Sequence, residues 1–287
     1  MRIPQAIRGT RFRLASAGAG LALVALAVLL GQIAPAHAAA TRPADGGPKP
    51  TIVLVHGAWA DSGSWNAVIA LLQRAGYTVD APPNPLRGLS EDSSYLADFL
   101  GTISGPVVLV GHSYGGMVIT NAATGNHKVK ALVYDDAYVP AQGDTLLGLT
   151  TAQPGSCLAA ANPATVFNEV PYPGAPSGDA DLCVKPSVFP GCFANGLPAA
   201  QAAVLAATQR PLAASTLTEP SAAPAWASIP SWDIVGTADH VIPPAEQLFM
   251  ANRAHAHITE VDAPHLSMIS DPGVVAAVII QAAVATG

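Results

Sequence analysis

Short, largely apolar runs recur along the chain at 51–55, 107–110, 129–134, 232–235 and 258–261. Runs this short, bounded by Gly, Pro or polar turns, predict strands buried on both faces. Tyr77–Ala81 adds a short strand that leads into a loop at Pro82, Pro83, Asn84 and Pro85. Between the strands the apolar residues spread to helical spacing, over 64–75, 93–104, 117–123, 244–254 and 272–284. Ser64 stands as an N-cap and Gly76 as a C-terminal stop for the first of these helices. Strands alternating with helices at this spacing predict the α/β class, a mostly parallel sheet with helices on both faces.

The rhythm breaks between Pro140 and about Pro230, where Ala, Pro, Gly and Ser dominate and no strong buried strand is legible. The clearest helix there is 199–209. An insertion of roughly 90 residues is too long for a plain connection. Placed over the carboxyl ends of a parallel sheet, it reads as a cap. All three cysteines, Cys157, Cys183 and Cys192, fall inside it. One disulfide with one leftover thiol is expected, with three pairings open, and such a bridge stiffens the cap rather than the sheet.

The amino terminus has a different character. Arg2, Arg8, Arg11 and Arg13 precede the apolar run Leu14–Leu30, and Ala36, His37 and Ala38 form a small-x-small site. Residues 1–38 read as a secretory signal peptide, giving a secreted or periplasmic protein. The competing reading is a retained membrane anchor. Residues 39–50 read as a flexible leader and 51–287 as the folded domain with its cap at about 140–230. The whole chain has 13 basic and 19 acidic residues; removing four arginines leaves a net charge of −10. That balance argues against nucleic acid or anionic lipid as a partner.

Candidate chemistry centres on Gly111, His112, Ser113, Tyr114 and Gly115, directly after Val107–Val110 and before an apolar helix. A buried strand running into G-x-S-x-G and then a helix is the pattern of a nucleophile elbow. The serine sits in a strained turn, and the glycines on either side relieve its collisions. An activated serine needs a base, an acid and an oxyanion hole. His265 follows the last strand, where a loop can lower an imidazole onto Ser113. Asp239, four residues past Val235, is the candidate acid, with the Asp135–Asp136 pair at the end of the 129–134 strand, Asp136 above all, as its competitor. The backbone amides of Tyr114 and Ala58 are the candidate oxyanion donors, and Trp59 and Tyr114 the candidate pocket walls. His56 and His112 read as structural histidines, and His127, His240, His255 and His257 as residues outside the chemistry.

These stretches, together with Val53–Trp59, Gly236–Pro244 and Ala263–Pro272, resemble the α/β-hydrolase superfamily. Within it they are similar to the small methylesterase and hydroxynitrile-lyase-type branch. The resemblance implies a triad at Ser113, Asp239 and His265 and an oxyanion hole at Ala58 and Tyr114. It covers about 51–285, weakly through the cap, so the family's substrates do not carry over. A serine at the elbow argues against the aspartate-nucleophile dehalogenase and epoxide-hydrolase relatives. The absence of lysine from Gly236 to Met250 argues against lyase chemistry. The expected activity is hydrolysis of small, fairly apolar esters through an acyl-serine, with no cofactor and no metal. The alternatives are a cofactor-free haloperoxidase, a carbon–carbon bond hydrolase, or a binding protein of low turnover.

Overall fold

The structure is a computed structural model that describes residues 48–287. The expected signal peptide at 1–38, its rival membrane anchor and most of the leader lie outside the described residues. Among the described residues, nine strands form two sheets. Six belong to a parallel sheet: β1 (Thr51–Val55), β2 (Val79–Asp80), β3 (Val107–His112), β4 (Val129–Asp135), β8 (Ser231–Gly236) and β9 (His257–Val261). Their order is β2-β1-β3-β4-β8-β9, and every neighbouring pair runs parallel. β3 and β8 are buried along their whole length, and β4 along all of its length but Lys130, as their largely apolar runs require.

The helices are α1 (Asn66–Arg74), α2 (Leu89–Gly101), α3 (Tyr114–Ala122), α4 (Leu146–Ala152), α5 (Ala199–Thr208), α6 (Pro244–Arg253), α7 (Ser267–Ser270) and α8 (Pro272–Thr286). α3 lies over β3 with α2 packed against it, and α8 lies over β3, β4 and β8 with α1 packed against it. α6 lies against β8 and β9. The loops that follow β1, β3, β8 and β9 therefore gather at one edge of the sheet, where the sequence places Ala58, Ser113, Asp239 and His265.

Three helix starts depart from the sequence expectation. The first helix does not begin at Ser64: Asp61 accepts from Gly63 at 2.7 Å and caps a 3-10 turn over Ser62–Trp65, and α1 starts only at Asn66. The second begins at Leu89 rather than Ser93. Its free amides at Leu89 and Ser90 donate to the carboxylate of Glu219 at 2.5 and 3.0 Å, a cap contributed from 130 residues away. α3 starts at Tyr114, directly behind the serine, and not at Met117.

The segment between β4 and β8 holds more structure than its composition suggests. It contains α4, α5 and an antiparallel sheet of β5 (Phe167–Val170), β6 (Asp181–Val184) and β7 (Leu212–Ala213), in the order β5-β6-β7. These strands span two to four residues and alternate or sit half-exposed, so none forms an apolar run that single-sequence patterning can register. Cys157 and Cys192 form a disulfide across 35 residues, and Cys183 is free. The bridge also touches the sheet's loops, because the Cys157 amide donates to His240 O at 2.8 Å.

Closing a loop of this length stabilises a fold by about 3–4 kcal/mol through the unfolded chain. Replacing both Cys157 and Cys192 by Ser is expected to lower the unfolding free energy by that amount in urea titration; an unchanged midpoint contradicts it.

Candidate active site

β3 delivers Ser113 into a sharp turn. Its backbone has φ 53° and ψ −125°, a conformation that costs a residue with a Cβ and needs surrounding support. The support is visible: the Ser113 amide donates to Asp135 O at 3.3 Å, and Ser113 O accepts from Gly116 and Tyr138 amides at 2.9 and 3.1 Å. The turn closes so tightly that a Cβ on Gly111 would lie 2.6 Å from Gly115 O. Across the gap, a Cβ on Gly57 would lie 2.7 Å from Ser113 Cβ, so the loop after β1 passes close to the serine.

His265 comes down on this serine from the turn after β9. Its Nε2 lies 3.0 Å from Ser113 Oγ and its Nδ1 lies 2.8 Å from Asp239 Oδ2. Both side chains of the His265–Asp239 pair have no solvent exposure. A carboxylate oxygen facing Nδ1 puts the proton on that nitrogen and leaves Nε2 free to accept from the serine hydroxyl. The Asp239 carboxylate is satisfied on all sides. Oδ1 accepts from the Val241 and Ile242 amides at 2.6 and 3.0 Å, and Oδ2 also accepts from Gln247 Nε2 at 2.8 Å. The turns bearing Asp239 and His265 are laced to each other through Thr237 N to Val261 O at 2.8 Å and Ala238 N to Ala263 O at 3.1 Å.

Asp136 takes a different place. Its carboxyl makes no bond to the imidazole; it accepts from the Gly236 and Ser267 amides at 2.8 and 3.1 Å and so ties both turns to β4. Ala58 and Tyr114 line the same cavity as Ser113, and neither backbone N–H finds an acceptor among the described residues. The Tyr114 amide also sits at the N-terminus of α3, where the helix dipole favours negative charge. Trp59 is a wall: its indole donates to Leu182 O at 2.8 Å and stacks on Phe167 at 5.4 Å. The Tyr114 hydroxyl is turned away from the serine and donates to Asp92 at 2.8 Å. His56 is buried: its Nδ1 donates to Gly57 O at 2.8 Å, and its Nε2 accepts from the Asn84 amide, in the loop after β2, at 3.0 Å.

Two contributors escaped the sequence reading. Gln247 is fully buried on α6, on the face it shares with Met250 and Ala251. A polar residue on an apolar stripe is the signal that could have found it. Phe193, from the long insertion, meets the His265 ring edge-on at 5.0 Å. Asn195 donates to Ala238 O at 2.8 Å from the same stretch, so the insertion rests on the Asp239 turn as well as on the imidazole. Above Ser113 opens a cavity of about 510 Å³, walled by Trp59, Leu146, Leu158, Phe167, Leu182 and Leu217, with Glu169 its one charged lining residue. Among the described residues, no group of three or more His, Cys, Asp or Glu is placed to hold a metal ion.

The floor of the site is unusually rich in buried acids. Burial pushes Asp135 up to about 7 and raises Asp136 well above the ordinary carboxyl value, aided by the charges of Asp135 and Asp239. Asp233 is raised likewise by burial and by Asp135, and neither of its oxygens has a hydrogen-bond partner among the described residues. These groups keep protons in the native state that the unfolded chain has lost, so each makes stability fall as pH rises. Burial lowers His56 to about 4 and His112 well below 6.5; they act in the opposite sense, but only below the unfolded histidine value of 6.5. Thermal unfolding is therefore expected to show stability declining as pH rises from about 6.5 through about 7, where Asp135 loses its proton, with a shallower decline in Asp135→Asn. Stability that rises over this range contradicts the assignment.

Comparison with known proteins agrees with this architecture. A carbendazim hydrolyzing esterase of Nocardioides sp. is 42% identical over 110 residues, 34% of this chain and 46% of that protein. A pyrethroid hydrolase of Sphingobium wenxiniae is 34% identical over 106 residues, 33% of this chain and 38% of that protein. The chain thus spans less than half the length of these two curated relatives, at 46% and 38%. The crystal structure of a pyrethroid hydrolase from Sphingobium faniae JZ-2 superimposes with a TM-score of 0.64 at 24% identity, over 82% of this chain and 97% of that one. That likeness shows a shared fold. The sequence model of the alpha/beta hydrolase family matches residues 52–278, and the chain belongs to that family.

Proposed function

We propose that the protein is an exported serine esterase that hydrolyses small, neutral, fairly apolar carboxylic esters through an acyl-serine intermediate. The observation that carries this reading is the buried chain of hydrogen bonds from Ser113 Oγ to His265 Nε2 at 3.0 Å and from His265 Nδ1 to Asp239 at 2.8 Å, opening into an apolar cavity.

In this mechanism His265 Nε2 takes the Ser113 proton as Oγ attacks the ester carbonyl carbon. The Ala58 and Tyr114 amides hold the oxyanion, each contributing about 3 kcal/mol to the transition state. The imidazolium, stabilised by Asp239, then passes its proton to the leaving alkoxide. A water molecule gives a proton to the same nitrogen and attacks the acyl carbon, and the imidazolium then returns that proton to Ser113 Oγ as the acid is released. The names of the relatives, an esterase and a hydrolase, support the same class. The apolar walls, with Glu169 as the one charged side chain, support an uncharged substrate.

Export is supported by four N-terminal arginines ahead of an apolar run and the Ala36, His37, Ala38 site. The Cys157–Cys192 bridge suits the same oxidising destination.

A panel of nitrophenyl esters of increasing acyl length tests the proposal, on protein recovered from the medium or periplasm whose first residue is expected to be Ala39. Ser113→Ala is expected to lose roughly 10⁴- to 10⁶-fold in kcat, and Asp239→Asn roughly 10⁴-fold. Equal rates in wild type and Ser113→Ala sink the esterase reading, and a retained N-terminus at Met1 sinks the export reading.

A further inference from the structure

His112, which precedes the serine, is more than a buried strand end. Its Nε2 lies 2.8 Å from the main-chain carbonyl oxygen of His265, 153 residues away. A carbonyl only accepts, so Nε2 carries the proton and donates, leaving Nδ1 bare. That Nδ1 has no partner among the described residues, so the ring makes this one hydrogen bond. The two imidazoles sit 4.8 Å apart at 51°, and Trp65 meets the far side of His112 edge-on at 6.3 Å. His112 is fully buried, and burial holds it neutral, as a donor beside a base that must become cationic requires.

We propose that His112 is a positioning residue: by donating to the main-chain carbonyl of His265 it fixes the imidazole at reacting distance from the neighbouring Ser113. The proposal rests on the reading of Ser113 and His265 as nucleophile and base. The bond is short-circuited through the chain. It runs from the residue covalently joined to the nucleophile to the backbone of the base, so strand and loop cannot drift apart without breaking it. The other restraints on that turn act elsewhere. Asp239 holds the far nitrogen of the ring, and Asp136 and Asp135 hold Ser267, two residues further on. None of these fixes the distance from Nε2 to Ser113 Oγ directly. Phe193 packs edge-on against the ring and carries no polar group. A histidine suits the place because its donor reaches across the elbow while the flat ring packs under the partner imidazole.

The test compares His112→Leu, which keeps bulk and removes the donor, with His112→Gln, whose side-chain amide returns a donor near the position of Nε2. Melting temperature and near-ultraviolet circular dichroism establish that each variant is folded. His112→Leu is expected to lose roughly 10- to 100-fold in kcat with KM nearly unchanged, as a misplaced catalytic group does. Labelling of Ser113 by a fluorophosphonate is expected to slow by the same factor. The downfield proton resonance of His265 Nδ1–H is expected to broaden or shift. His112→Gln is expected to recover most of the lost rate. Should His112→Leu not fold, His112→Asn, whose amide is too short to reach the carbonyl, carries the same expectation. Unchanged kcat in His112→Leu, or equal losses in the Leu and Gln variants, overturns the proposal, since equal losses mean that ring packing alone matters. Ser113→Ala runs alongside. Activity surviving in it overturns the reading of the site, whereas activity lost in it but untouched in folded His112→Leu overturns the role of His112 alone.

Discussion

A carboxylate pressed against an imidazole in a dry interior is unfavourable unless every oxygen lone pair and every ring N–H finds a partner. The Asp239–His265 pair meets that condition. Two backbone amides, Gln247 and His265 surround the carboxylate, and both side chains are closed to solvent. Much of the architecture answers to this one requirement. β8 and β9 run side by side so that the turns after them share backbone hydrogen bonds. Asp136 then staples both turns to the end of β4, beside the strand that carries Ser113.

The long insertion takes part in the same economy. Asn195, the Cys157 amide and the Phe193 ring each touch the Asp239 turn, its neighbour His240 or the His265 ring. The Cys157–Cys192 bridge joins the two stretches that make those contacts. In the proposed mechanism, the segment that walls the substrate cavity is thus also the segment that buttresses the catalytic acid and base. Substrate selection and the geometry of proton transfer share a foundation, so changes to the insertion are expected to reach kcat as well as KM.

Much of this was legible in the residues alone. The strands at 51–55, 107–112, 129–135 and 231–236 read clearly because they are buried over most of their length and so spell short, largely apolar runs, broken by Lys130 and Asp233. The elbow read clearly because Gly111, Ser113 and Gly115 encode a tight steric constraint in one local stretch. What stayed hidden was non-local. Glu219 starts α2 from 130 residues away, and the strands of the small sheet exist by pairing with each other. Which cysteines meet was equally a matter of tertiary packing. Gln247 reaches the Asp239 carboxylate through a buried hydrogen bond that no spacing rule marks, and His112, legible as a structural histidine, did not reveal the His265 carbonyl as its partner.

The account turns on Ser113 carrying the acyl group of the substrate. The most direct measurement is acid quenching during steady-state turnover of a slowly deacylating nitrophenyl ester, followed by proteolysis and mass spectrometry of the peptide containing Gly111–Gly116. An acyl adduct on Ser113, forming as fast as the burst of nitrophenol and absent from Ser113→Ala, is the predicted result. Turnover with no adduct on that peptide, or an adduct on another side chain that forms at the burst rate, contradicts it.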